Sequence, residues 1–470
     1  MEFENYQSPF SWRYGSQELR RIWSEHHKRI LWRQIWVALA EAQADYGLVS
    51  PEQLADLKAH AGQIDIPRAL EIEAEIHHDL VAEIRTFAEQ CPFGGGVIHL
   101  GATSMDVVDN ADALRVKQSL SHIRHQLAQL IVAFLDKVAA YADLPIIAFT
   151  HIQPAEPSTL GYRLAVYAQD LMADWEVLAE VDAHYKGKGF KGAVGTAAGY
   201  TQLVGKDNFP RFEAHLSELL GIPFYPITTQ TYTRKQDLHL MQALASLGES
   251  LYKFAFDLRI LQSPPIGELS EPFREKQVGS SAMPFKRNPI NAEKIDSLAR
   301  MLAQYPRLAW DNAAHSLLER TLDDSANRRT HLPEALLVSD ELLSVAQKLI
   351  NGLVVNQAAI QRNLATYGPF AATEKVMLAA VKHGADRQEI HEIIRQHAMP
   401  AWQAIQNGEH NPLEDSLMTD ETLRRYLSAK EMRTLFDATT HTGIASDAAK
   451  ALTAQKEIFT AWLEQSARTK

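Results

Sequence analysis

The chain has 470 residues, of which 46% are hydrophobic and 22% charged, and a formal net charge of −11. Those proportions are those of an ordinary globular protein, long enough for about three domains of roughly 150 residues, and the acidic balance excludes sequence-independent nucleic-acid binding, which needs a broad basic surface. A single cysteine, Cys91, excludes an internal disulfide and a multi-cysteine metal site, and no apolar run approaches the ~20 residues that span a bilayer.

The N-terminal run MEFENYQSPFSWRYGS lacks the basic start and apolar core of a secretory signal and is too acidic for a transit peptide. A cytoplasmic protein is therefore expected. His77, His78 and Asp79 sit on a stretch that reads as helix. Adjacent helical residues do not face each other, so no metal pair is expected there. The segment CPFGGGVIHLGATS, Cys91 to Ser104, is a glycine-rich break that closes a first domain, 1–103. Its last residues, Thr103 and Ser104, stand at a helix start, where hydroxyls and free N–H groups can cap the helix and also hold a carboxylate.

From Asp106 to about Tyr141 the residues Leu114, Leu120, Ile123, Leu127, Leu130, Ile131, Phe134, Leu135 and Val138 recur at helical steps, which predicts one very long amphipathic helix. FTHIQP, Phe149 to Pro154, then reads as a short irregular link. Its His151 has the side chain best suited to proton exchange near neutral pH, although most single histidines are structural. Between Lys186 and Gly205 the glycine spacing argues against a regular helix, and the GxxxxGK[ST] pattern of a phosphate loop is missing. The polar cluster QTYTRK, Gln230 to Lys235, leads into a second long helix, about Thr233 to Leu261.

The run GSSAMPFKRNPI, Gly279 to Ile290, places a glycine, two hydroxyls, two cations and an amide in one stretch that its prolines keep irregular. It reads as a mobile cationic loop, with Asn288 capping a following helix whose N-terminus, beside Lys286 and Arg287, attracts anions. A surface loop with incidental basic residues is the alternative. In RTLDDSANRR, Arg320 to Arg329, cations in a first helical turn oppose the macrodipole unless an anion sits there. Arg320, Ser325 and Arg329 are thus a candidate phosphate site, against a solvated salt-bridged face. A third long helix, about Leu332 to Leu353, ends at the break near Gly352. These signals predict an all-α protein of three helical domains, 1–103, 104–355 and 356–470. Helices apolar on several sides further predict a central bundle completed between subunits.

Taken together, SPFSWRY, the HHD at His77 to Asp79, HLGATS, FTHIQP, QTYTRK, GSSAMPFKRNP, RTLDDSANRR and RQEIHEIIR resemble the fumarase and aspartase superfamily, nearly end to end. Within it, QTYTRK and RTLDDSANRR resemble the adenylosuccinate lyase family more than fumarase, aspartase or argininosuccinate lyase. The resemblance implies elimination of fumarate from a succinylated purine nucleotide and from its ribotide precursor, without metal or organic cofactor. It implies Ser280 as general base, His151 as general acid, Lys286 as an oxyanion donor and Glu293 as the group orienting His151. Contacts to the substrate carboxylates are implied for Thr103, Ser104, Thr150, Gln230 and Asn288. Contacts to the nucleotide are implied for Arg13, Tyr14, His77, His78, Asp79, Arg320, Ser325 and Arg329. The family assembles as a homotetramer whose active sites draw on several subunits, with small-molecule substrates and neither nucleic acid nor membrane as partner. Two positions depart from the pattern: Lys294 where arginine is usual, which loses the bidentate fork, and Ile444 in TGIA where the family has TGRA. Another lyase of the superfamily, and a non-catalytic helical scaffold, are the competing readings.

Overall fold

The computed structural model describes residues 4–468. It is all-helical apart from two small two-stranded sheets. The chain forms two compact units: one takes the chain to Gln126 with Asp174–Glu249 and Leu298–Leu343, the other Leu127–Ala173, Ser250–Ser297 and the chain from Ser344. The long helices are Ser104–Ala140, Leu160–His184, Lys235–Gln262 and Ser325–Asn351. No described helix is long and apolar enough to cross a membrane.

In the first unit, Leu31, Trp32, Ile35, Trp36 and Leu39 of the helix Glu25–Ala44 pack with Leu80, Phe87, Val107, Ala111, Phe190, Tyr200 and Phe212 in one apolar cluster. Each of the larger aliphatic and aromatic side chains among them contributes about 1.5–3 kcal/mol on leaving water. The third long helix begins at Ser325, before the first apolar residue that announces it. Its opening turns are held by ion pairs of Arg328 rather than by apolar contacts, so hydrophobic spacing does not reveal them. The glycine-rich stretch also departs from expectation: Ala198–Val204 is a short helix, because the glycines at 187, 189, 192 and 195 all precede it. The single Gly199 inside it is tolerated at about 1 kcal/mol.

In the second unit, Leu127, Leu130, Ile131, Phe134 and Val138 are fully buried, with the Phe134 and Phe254 ring centroids 5.0 Å apart and Tyr167 at 5.4 Å from Phe254. FTHIQP is not an irregular link but the tip of a β-hairpin, Pro145–Thr150 paired antiparallel with Gln153–Thr159. Its two turn residues, His151 and Ile152, have φ of +54° and +61°. That is the geometry of a type I′ turn, normally announced by Asn-Gly, and the prolines of the second strand hide it further. Toward the C-terminus the helices Gln357–Ala371, Thr373–Lys382 and Arg387–Gln406 share a separate apolar cluster with Leu413, Leu417, Leu423 and Met432.

Candidate active site

A cavity of about 690 Å³ opens in the first unit, and three helices begin at it: Asp79–Gln90, Ser104–Ala140 and Ser325–Asn351. Their free N–H groups and dipoles make the cavity a natural place for anionic groups. His77, His78, Asp79, Thr103, Ser104, Gln230, Arg320, Ser325 and Arg329, all expected from the sequence, line it. Arg13 and Tyr14 do not; they belong to the turn ahead of the helix Gln17–Ile22, with Arg13 over the Trp12 ring and Tyr14 tilted against Phe10.

His77 and His78 are not neighbours on one helix. His77 ends the helix Ile66–Ile76 in a left-handed conformation, φ +55°, and His78 is the N-cap of the next, its Nδ1 accepting from the Val81 N–H at 3.3 Å. Neither glycine nor proline marks this reversal in the sequence. With Nδ1 accepting, the neutral imidazole carries its proton on Nε2. Ahead of the Ser104 helix, the Thr103 N–H donates to the Asp106 carboxylate at 3.0 Å, half of a capping box that fixes where Thr103 and Ser104 lie.

Beneath the cavity runs a buried ion-pair framework. Arg234 donates to Asp324 at 2.6 Å and to both Asp109 oxygens at 3.1 Å, and Arg320 holds Asp324 from the other side at 2.8 Å. Arg328 donates to Asp237 at 2.8 Å, to Asp112 at 3.2 Å and to the Tyr232 hydroxyl at 2.7 Å, while Arg115 pairs with Asp112. Burial alone would raise Asp112 and Asp324, but the surrounding guanidinium groups outweigh it and hold both carboxyls below their usual range. Two donors in this framework, Arg234 Nη2 and Arg320 Nε, are buried with no acceptor among the described residues. An anion entering the cavity meets an array with spare donors.

Sequence reasoning missed Lys28, Trp32, Asp112, Arg115, Arg234 and Arg328 as cavity residues. Arg234 and Arg328 lie inside the very motifs that supplied Gln230 and Arg329, so their proximity was a usable signal. At the rim, Arg329 pairs with Asp79 at 2.9 Å, with the Arg329 side chain 65% exposed.

His99 does not line the cavity; the Trp36 indole N–H donates to its Nδ1 at 3.0 Å. Burial pushes its pKa down to about 4. Its folded-state pKa lies below the unfolded value near 6.5, so the unfolded chain binds more protons between those limits and stability falls as pH drops from about 6.5 toward 4. The thermal midpoint should therefore decline over that window, and His99→Asn, whose residue tolerates the φ of +68°, should flatten that component of the decline. An unchanged pH profile in the variant would refute it.

The other expected residues, Thr150, His151, Ser280, Lys286, Asn288, Glu293 and Lys294, belong to the second unit. The Ser280 hydroxyl accepts from the Met283 N–H at 3.1 Å, and the Lys286 N–H returns to the Met283 carbonyl at 3.0 Å. A Cβ on Gly279 would stand 2.1 Å from the Lys286 carbonyl oxygen, so only glycine permits this closure. Asn288 does not cap the following helix as expected. Its amide donates to the Gly279 carbonyl at 3.0 Å, and the cap is the buried Glu271 carboxylate, which accepts from the N–H groups of Asn291 at 3.1 Å and Ala292 at 3.2 Å. Glu293 pairs with Arg259 at 3.9 Å.

A family model described as lyase matches residues 16–302, and one described as adenylosuccinate lyase C-terminus matches residues 369–452. Adenylosuccinate lyase of Schistosoma mansoni is 39% identical over 426 residues, covering 89% of this chain and 88% of its own. That of Saccharomyces cerevisiae is 36% identical over 452 residues, covering 94% and 93%; that of Pyrococcus abyssi is 37% identical over 437 residues, covering 91% and 93%. Among solved structures, the 3-carboxy-cis,cis-muconate lactonizing enzyme of Pseudomonas putida superposes with a TM-score of 0.86 at 23% identity, over 97% of this chain and 100% of that one. A fumarate lyase from Mesorhizobium gives 0.83 at 23% identity, over 96% and 99%. The long-helix architecture is thus that of the lyase fold, and the chain belongs to the adenylosuccinate lyase family.

Proposed function

We propose that this chain eliminates fumarate from adenylosuccinate, giving AMP, and from the corresponding succinylated carboxamide ribotide. The observation that carries the reading is the cavity at three helix N-termini, with Arg320, Arg329 and two unsatisfied buried guanidinium donors around it. Such a cavity suits a ligand with a phosphate and two carboxylates. Ser280 removes the proton from the succinyl carbon, and the Met283 N–H already bonded to its oxygen stabilises the alkoxide this requires. His151 protonates the departing nitrogen. Lys286 neutralises the charge that builds on the substrate carboxylate, which is stronger in the transition state than in the ground state.

The nucleotide side of the substrate is held by His78, Asp79, Arg320, Ser325 and Arg329, with Arg13 and Tyr14, which do not line the cavity of the single chain, joining from the turn ahead of the helix Gln17–Ile22. A homotetramer with active sites shared between subunits, working in the cytoplasm, completes the proposal; the strained hairpin tip at His151 supports it, because such strain persists where a site uses it. Fumarate formation from adenylosuccinate tests the activity. Mixing inactive His151→Ala and Ser280→Ala chains tests the sharing: activity should reappear in the mixed oligomer, and its absence after confirmed subunit exchange would contradict shared sites. Arg329→Ala should raise KM by about 10–100-fold with a smaller change in kcat, the loss of one charge-assisted contact to phosphate. An unaltered KM would remove Arg329 from the nucleotide site.

A further inference from the structure

Apart from the reaction, a second cluster of ligating side chains sits in the first unit. Asp56 and His60 are four residues apart on the helix Pro51–His60, so they share a face, and Cys91 follows the helix Asp79–Gln90 as its C-cap. One ligand atom from each of the three lies within 4.8 Å of the others. From these positions we propose that Asp56, His60 and Cys91 bind a zinc-type divalent cation through one carboxylate oxygen, one imidazole nitrogen and the thiolate.

The site is built before any ion enters. Asp56 Oδ2 accepts from the N–H groups of Phe93 and Gly94, both at 2.8 Å, while Oδ1 lies 3.1 Å from His60 Nδ1, which is also 2.9 Å from the Asp56 carbonyl oxygen; an entering ion replaces this carboxylate–imidazole pair. The turn carrying Cys91 is clamped onto the helix, since a Cβ on Gly94 would meet the Gln53 carbonyl oxygen and Leu57 Cγ at 2.7 Å. The Cys91 side chain is 2% exposed and its sulfur takes part in no hydrogen bond among the described residues. An oriented carboxylate beside a buried sulfur and an imidazole matches the mixed S, N, O preference of zinc, whose bonds of about 2.0–2.3 Å set ligand atoms roughly 3.3–3.7 Å apart. His60, its side chain 29% exposed in the last turn of its helix, has room to adjust and close that gap. Burial and the neighbouring Asp56 push the Cys91 thiol up to about 11, only partly offset by the Arg33 guanidinium, so the ion itself draws off the thiol proton, which leaves to solvent.

Cobalt(II) serves as the spectroscopic probe on the purified full-length protein. One equivalent per chain should give a thiolate-to-cobalt charge-transfer absorption that zinc abolishes by competition, and Cys91→Ser should lose it. His60→Ala, altering a partly exposed side chain that leaves the core intact, should weaken cobalt binding at least about tenfold while circular dichroism stays unchanged. Cobalt binding without the thiolate band, equal affinity in His60→Ala, or no binding at all would each overturn the proposal.

Discussion

Ser280→Ala is expected to lower kcat for fumarate release by about 10²–10⁴-fold, the usual worth of a positioned proton-transfer group, with helical content and oligomeric state unchanged. The hydroxyl contributes nothing to the core: Ser280 is half-buried in a loop without regular structure, and among the described residues its one side-chain hydrogen bond is from the N–H of Met283. That same bond is what makes a serine usable as a base. A backbone donor aimed at Oγ favours the alkoxide over the alcohol and needs no rearrangement when the proton leaves the substrate. Gly279→Ala should impair turnover by another route, because its methyl would collide with the Lys286 carbonyl and displace both Ser280 and Lys286. The two variants separate chemistry from loop geometry, since only Gly279→Ala should also change the loop's susceptibility to proteolysis. Wild-type turnover by Ser280→Ala would remove it from the role of base.

The second large effect concerns stability. Arg328→Met should destabilise the protein by about 3–5 kcal/mol in denaturant unfolding, the typical consequence of removing one partner from a buried ionic network. Arg328 is 6% exposed, and its loss leaves Asp237 without its guanidinium partner and Asp112 with Arg115 alone. The adjacent Arg329 provides the internal control. Its pair with Asp79 is largely in solvent, so Arg329→Met should change stability by no more than about 1 kcal/mol while affecting KM. Equal stability losses in the two variants would contradict the division into a buried framework arginine and a ligand-facing one.

That division marks the limit of what the sequence discloses. The long helices are legible because their apolar residues recur at three- and four-residue steps over many turns, and the Ser280 loop is legible because its glycine, hydroxyls and prolines exclude regular structure. Arg234, Asp237 and Arg328 are not legible: a buried charge paired with another looks, in one dimension, like a solvated one. The start of the Ser325 helix escapes for the same reason. The His151 hairpin escapes because it places non-glycine residues at positive φ, and the break at His77 because a left-handed histidine does the work usually given to glycine. Glu271 caps the helix Ile290–Leu302 from 20 residues before Asn291, beyond the reach of any local capping rule. Each miss is a place where tertiary contact overrides local preference, and the hairpin tip, the His77 break and the Arg328 framework all bear on the proposed chemistry.

The most direct measurement is the time course of products from adenylosuccinate incubated with the purified protein and nothing else added. Fumarate and AMP should appear in equal amounts, with the rate lost in Ser280→Ala. Absence of fumarate from adenylosuccinate, with release of fumarate instead from argininosuccinate or aspartate, would contradict it.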